Sequence, residues 1–228
     1  VMTEELATLK TEGDVSMITL DDGKANVFSL AMSQTIEKLL DEVSEDKGAL
    51  LLIGRPGMFS AGFDLKVMNS GDGEAVQEMV KGGFKLLRRI YSFPRPVVAA
   101  CSGHGIALGA FILLCSDYRI GAEGEFLIGA NEIRNNMSIP EPILEIAKSR
   151  LTKTHWYRAI LNAEMYPMSE AIAPGYLDEL VKPEKLKEIA LGRATDLATL
   201  GHPVYQITKE LDQEEILKRI DSGINSMP

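Results

Sequence analysis

The sequence predicts an α/β protein whose C-terminal part is helical. Three observations carry this. GALLLIG at 48–54 and PVVAAC at 96–101 are unbroken apolar runs of strand length, as expected for strands covered on both faces. Between them, residues 73–92 repeat apolar side chains at helical spacing. From residue 140 onward the pattern is almost entirely helical. Strands alternating with helices imply parallel pairing through right-handed crossovers, followed here by a helical C-terminal region.

Taken in order, residues 4–10 and 14–20 read as two short strands around a Glu-Gly-Asp turn. SLAMSQTIEKLLDEVSE at 29–45 opens on a Ser cap and continues as an amphipathic helix. After the strand at 48–54, GMFSAGFDLKVM at 57–68 is a strand-to-helix turn rich in small residues. The 73–92 helix is ended by Pro94 and Pro96. PVVAAC leads into the glycine-rich turn of GHGIALGAFILLCSD at 103–117, and YRIGA at 118–122 is a third covered strand. Helices are expected at 140–151, 153–165 and 169–175, a short strand within 176–182, and helices again at 183–199 and 204–225. The expected division is a core over 1–182 and a helical region over 183–228.

Composition narrows the function. The 228 residues carry 24 basic and 33 acidic side chains, a net charge of −9. A general nucleic-acid binder needs clustered Lys and Arg, so that class is excluded, whereas a small phosphorylated ligand needs only a few local cations. Cys101 and Cys115 sit in apolar segments and read as buried free thiols of a reducing compartment. No Cys/His cluster suggests a metal. VMTEELATLK has neither the basic start nor the apolar stretch of a signal peptide, and the apolar run at 105–115 is too short to span a bilayer. A soluble intracellular protein is expected, cytoplasmic, or of the mitochondrial matrix or peroxisome in a eukaryote.

Gly103, Gly105 and Gly109 make a GxGxxxG spacing close to a dinucleotide fingerprint. The fingerprint needs a longer helix and then a second strand with an acid about 20 positions on, and only seven residues separate Gly109 from Asp117. Ser60 lacks the GxSxG spacing of a nucleophile elbow and reads as a turn residue. Asp64 reads as a helix cap. What the two small-residue turns offer together is a pair of free backbone N–H groups, an oxyanion hole.

FSAGFDL after a strand, PVVAACSGHGIALGAF about 40 residues later, then SDYRIGAEGEFLIGANE and a Pro resemble the crotonase (enoyl-CoA hydratase/isomerase) superfamily over residues 14 to 182. The resemblance implies a spiral of ββα units, a homotrimer or dimer of trimers, and a coenzyme A thioester as substrate with no further cofactor. It implies that the thioester oxygen sits between the N–H groups of Phe63 and Leu108. It places Ala61, Gly62, Leu65 and Lys66 against the CoA moiety, and Phe111 and His104 at the acyl pocket.

Members that hydrate a double bond carry two glutamates. The first falls six residues before the Asp matched to Asp117, where this chain has Phe111; the second is matched by Glu132, with Glu141 and Glu145 nearby. One acid without its partner can still carry a proton along a thioester. CSDYRIGAEGEFLIGANE is similar to the mitochondrial-type Δ3,Δ2-enoyl-CoA isomerases, which implies conversion of 3-enoyl-CoA to 2-enoyl-CoA through Glu132. An enoyl-CoA hydratase and a non-catalytic acyl-CoA-binding protein are the alternatives. Whether the 204–225 helix docks on its own chain or on a neighbour stays open at this level.

Overall fold

The computed structural model describes residues 5–228; residue 4, the expected start of the first strand, lies outside them. Strands β1 (Ala7–Glu12) and β2 (Val15–Leu20) form an antiparallel hairpin. The covered runs become β3 (Ala49–Ile53), β5 (Val97–Cys101) and β7 (Tyr118–Ala122), which add in parallel to β2, and β10 (Glu179–Val181) closes the far edge. Each of the three covered strands is followed by a short strand of a second sheet: β4 (Gly57–Ser60), β6 (Gly103–Ile106) and β8 (Leu127–Gly129), with β9 (Tyr166–Pro167) antiparallel at its edge. Helices α1 (Leu30–Leu40), α2 (Leu65–Met68), α3 (Gly73–Tyr91), α4 (Leu108–Cys115) and α5 (Glu141–Arg150) connect these pairs, so the chain winds as successive ββα turns.

The main sheet is covered on both faces, which explains its unbroken apolar runs. Leu50 and Leu52 of β3 face one core with Phe28, Met32, Phe84 and Phe111, while Ala49, Leu51 and Ile53 face another. The second core is closed by Leu186, Ala190 and Ala194 of α6 (Leu186–Leu197). Successive strand side chains point to opposite faces, so each face needs its own helix layer.

Helix α7 (Val204–Asn225) docks on its own chain. Lys209 reaches Asp117 (2.8 Å) and the Phe93 carbonyl (2.9 Å), Gln213 donates to the Tyr91 carbonyl (2.8 Å), and Arg88 pairs with Asp221 (2.9 Å). The region 183–228 is thus laid over the sheet and over α3 and α5.

Four expectations change. Helix α1 stops at Leu40, where the Arg89 guanidinium holds Asp41 (2.9 Å) and Ser44 bonds Asp46 (2.7 Å), side-chain bonds that compete with continued helix. The expected 153–165 helix is a 3₁₀ turn (Lys153–His155) and a single π turn (Tyr157–Leu161), ended where Ala163 turns to φ +47°. The 169–175 segment holds only one 3₁₀ turn, Met168–Glu170. The glycine turn after PVVAAC contains strand β6. No helix among the described residues is long and apolar enough to cross a membrane, and no group of three or more His, Cys, Asp or Glu gathers there as a metal site would require. Both cysteines are free and buried, and burial pushes the Cys101 thiol up to about 12.

Candidate active site

The two small-residue turns meet. Asn26 in its buried turn donates to the Leu20 and Phe59 carbonyls (2.9 and 3.2 Å), and the Ser60 hydroxyl donates to the Asn26 carbonyl (2.8 Å) while accepting from Gly62 N–H (3.1 Å). Ser60 is therefore a turn residue, and Asp64 caps α2 through Lys66 N–H (2.9 Å). A Cβ added at Gly62 would stand 3.3 Å from Leu108 N, and one at Gly109 would stand 2.4 Å from the Ser60 carbonyl oxygen. The turns touch backbone to backbone, which only glycine permits at these positions.

This contact brings Phe63 and Leu108 side by side at one cavity. Phe28 N–H donates to the Gly62 carbonyl (2.8 Å), and among the described residues no acceptor takes the N–H of Phe63 or of Leu108. Leu108 opens α4, where the first N–H groups have no partner within the helix. Ala107 before it holds φ +53°, ψ −123°, a strained conformation for a residue with a Cβ. That turn aims the start of α4, and no residue type marks it in advance, because alanine is not the residue such a backbone favours.

The cavity measures about 390 Å³. Its lining is largely apolar, with Phe63, Met68, Val80, Phe84 and Leu108, and includes the polar Asn131, Glu132 and Ser138. Glu132 is the only carboxylate among the described residues that line it. It sits at the start of a 3₁₀ turn (Ile133–Asn135), is 8% exposed, and its Oε2 is buried with no hydrogen-bond partner. Burial raises its pKa to about 7, its own backbone N–H opposing slightly. Tyr176, which sequence reasoning left unassigned, is fully buried with an unpartnered hydroxyl; burial, then the charges of Tyr166 and Glu132, hold that phenol above its ordinary range.

The other sequence candidates fall into three groups. Ala61 and Leu65 line the cavity, while Gly62 is buried in the turn beside it and Lys66 is exposed on α2. Glu141 is exposed at the start of α5; Glu145 is buried but paired with Arg219 (3.3 Å) and Lys148 (3.8 Å), so neither substitutes for Glu132. Phe111 and His104 need correction, because neither lines the cavity. Phe111 is fully buried in the main core, since α4 is enclosed on all sides, and His104 points along the second sheet, where Nδ1 accepts from Leu127 N–H (3.1 Å) and its ring stands edge-on to Phe126.

The arrangement suits proton transfer to and from a carbon beside a carbonyl: one carboxyl poised near neutrality, and two unused N–H groups where negative charge would develop. The family model described as enoyl-CoA hydratase/isomerase matches residues 10–220. The chain belongs to this family. Its fold is that of the crotonase superfamily. It is similar to an enoyl-CoA hydratase/isomerase family protein from Pseudomonas syringae, with 36% identity, a TM-score of 0.93, and coverage of 98% of this chain and 99% of that one. It is 27% identical to human mitochondrial enoyl-CoA delta isomerase 1, over 90% of this chain and 70% of that protein. It is 28% identical to a putative enoyl-CoA hydratase of Thermus thermophilus, over 88% of this chain and 81% of that protein.

Within this family member the contact between turns makes a direct prediction. Gly109→Ala must push Ser60 away from α4, since its methyl would overlap the Ser60 carbonyl. The expected result is a lower Tm by several degrees and a fall in kcat/KM larger than the fall in folded fraction, read by thermal unfolding and steady-state kinetics on one preparation.

Proposed function

We propose that the chain is a Δ3,Δ2-enoyl-CoA isomerase. One observation carries the reading: the cavity beside the paired N–H groups holds a single carboxyl, buried, with no partner for its Oε2, and raised to about 7. In the proposed reaction the 3-enoyl thioester places its oxygen between Phe63 N–H and Leu108 N–H. The Glu132 carboxylate removes a proton from C2, and the electron pair spreads over the thioester oxygen and C4. The same carboxyl returns that proton to C4, leaving the C2–C3 double bond. Atoms and charge balance with no cofactor beyond the CoA of the substrate. A pKa near 7 lets one group serve as base and then as acid at neutral pH.

In this proposal Ala61, Gly62, Leu65 and Lys66 hold the CoA moiety, with Lys66 free in solvent to meet a phosphate. Leu200, Val204, Ile207 and Leu211, large apolar residues left exposed at and before the start of α7, support a homotrimer or dimer of trimers. Incubation with 3-enoyl-CoA should produce the conjugated 2-enoyl thioester, followed by its absorbance. If water addition to 2-enoyl-CoA runs faster than isomerisation of 3-enoyl-CoA, the chain is a hydratase instead. Binding of CoA esters with neither reaction would make it an acyl-CoA-binding protein.

The hydratase reading also meets the packing of Phe111. Phe111→Glu would bury a carboxyl in the main core, where Phe111 is fully buried. The expected loss is about 3 kcal/mol or more in denaturant unfolding. A variant as stable as the parent would show that position 111 does reach the cavity and its polar groups.

A further inference from the structure

We propose that the Phe63 ring, seated on the notch left by Gly83, is the wall that limits acyl-chain length. This rests on the acyl-CoA reading above and concerns the side chain of Phe63, not its N–H. Gly83 lies buried within the 19-residue helix α3, where glycine is disfavoured unless something needs the space. The Phe63 ring needs it: a Cβ at Gly83 would stand 2.6 Å from Cε1 and 2.9 Å from Cζ of that ring. The ring is thus in direct contact with helix backbone on one side. On the other it faces the cavity, and its centroid is 6.0 Å from that of Phe84, tilted by 57°.

The ring can be removed or displaced without touching the pinned main chain, which is held by Phe28 N–H on the Gly62 carbonyl (2.8 Å) and by Gly62 N–H on Ser60 Oγ (3.1 Å). Phe63→Ala joins the notch to the cavity and lengthens it. Gly83→Ala does the opposite: backbone cannot yield, Leu108 Cδ2 stands 3.4 Å from the new methyl, and the ring moves toward the acyl chain. Gly82→Ala is the control on the same helix, since its Cβ meets only Leu30 Cδ1 at 3.1 Å.

Saturated straight-chain acyl-CoA thioesters, which the reaction cannot convert, are titrated by calorimetry in order of length. Wild-type affinity should rise about fourfold per methylene admitted, then stop rising at a limiting length. Phe63→Ala should move that limit outward by about two to four methylenes, the space of the deleted ring. Gly83→Ala should move it inward, and Gly82→Ala should leave it in place. A wild-type protein without a limit, or a limit unmoved in Phe63→Ala and Gly83→Ala, overturns the wall. Absence of binding at every length overturns the acyl-CoA reading instead. Should Phe63→Ala fail to fold, Gly83→Ala decides alone.

Discussion

Glu132→Gln is expected to lower turnover by ~10²–10⁴-fold while acyl-CoA affinity stays within a few-fold of wild type. The amide keeps the shape of the side chain and loses its proton chemistry. In wild type, kcat/KM should rise with pH and level off above about 7, because the base must be ionised in the free enzyme and burial has raised its pKa to that value. The same shift has a stability consequence of opposite benefit. The folded-state pKa of about 7 lies above the ordinary 4.5, so the folded protein holds this proton more tightly than the unfolded chain does. The stabilisation it contributes is whole below pH 4.5 and is lost as pH rises to about 7. The loss is about 3 kcal/mol. Glutamine does not ionise, so Glu132→Gln should be more stable than wild type at pH 8 by up to that amount, the difference vanishing near pH 4. Denaturant titrations at the two pH values, beside the rate measurements, check both. A variant with full turnover, or one equally stable relative to wild type at both pH values, would remove Glu132 from the mechanism or from its buried setting.

Asp117→Ala is expected to cost about 3–5 kcal/mol, the range for breaking a buried ion pair by removing one partner. Asp117 Oδ2 accepts from Val97 N–H (2.8 Å) at the start of β5 and from Lys209 Nζ (2.8 Å) on α7. The Lys209 side chain is 8% exposed, and burial draws its pKa below the ordinary range despite the aspartate. Without Asp117 this cation keeps the Phe93 carbonyl and the face of the Tyr205 ring, 5.8 Å from its centroid, but no counter-charge. Loss of the pair should loosen α7 from its own chain, read as a drop in the denaturant midpoint and as faster amide exchange in 204–225. Adding Lys209→Met should recover part of the loss, since the stranded charge is gone, but not the Val97 bond. A single variant as stable as wild type would mean that α7 is held by its other contacts, without help from the Asp117–Lys209 pair.

Much of the fold was legible in the residues. The runs at β3, β5 and β7 announce strands buried on both faces, and α3 announces itself by its apolar stripe and by Pro94 and Pro96 beyond its end. The second sheet was harder to see, because β6, β8 and β9 have four, three and two residues and two of them are rich in glycine or end on proline. Runs this short carry no periodicity to read. The 153–165 segment had helical spacing, yet tertiary bonds such as Arg134 to the Ala163 carbonyl (2.6 Å) draw it into tight turns. At the site, motif order marked Phe63, Leu108 and Glu132, whereas Val80 and Phe84 come from a segment whose pattern says only core.

Residue types and their order along the chain determined the covered strands, the two small-residue turns, the family resemblance and the lone glutamate, because these depend on local chemistry and on spacing. Only the tertiary structure decided that Glu132 is buried with no partner for its Oε2, that Phe111 and His104 do not line the cavity, and that α7 lies on its own chain. Those facts depend on which surfaces meet across 34 to 133 residues of chain, as Phe28 meets Gly62 and Arg88 meets Asp221. A side chain's burial, and with it the pKa that sets its chemistry, is a property of the neighbours that folding supplies.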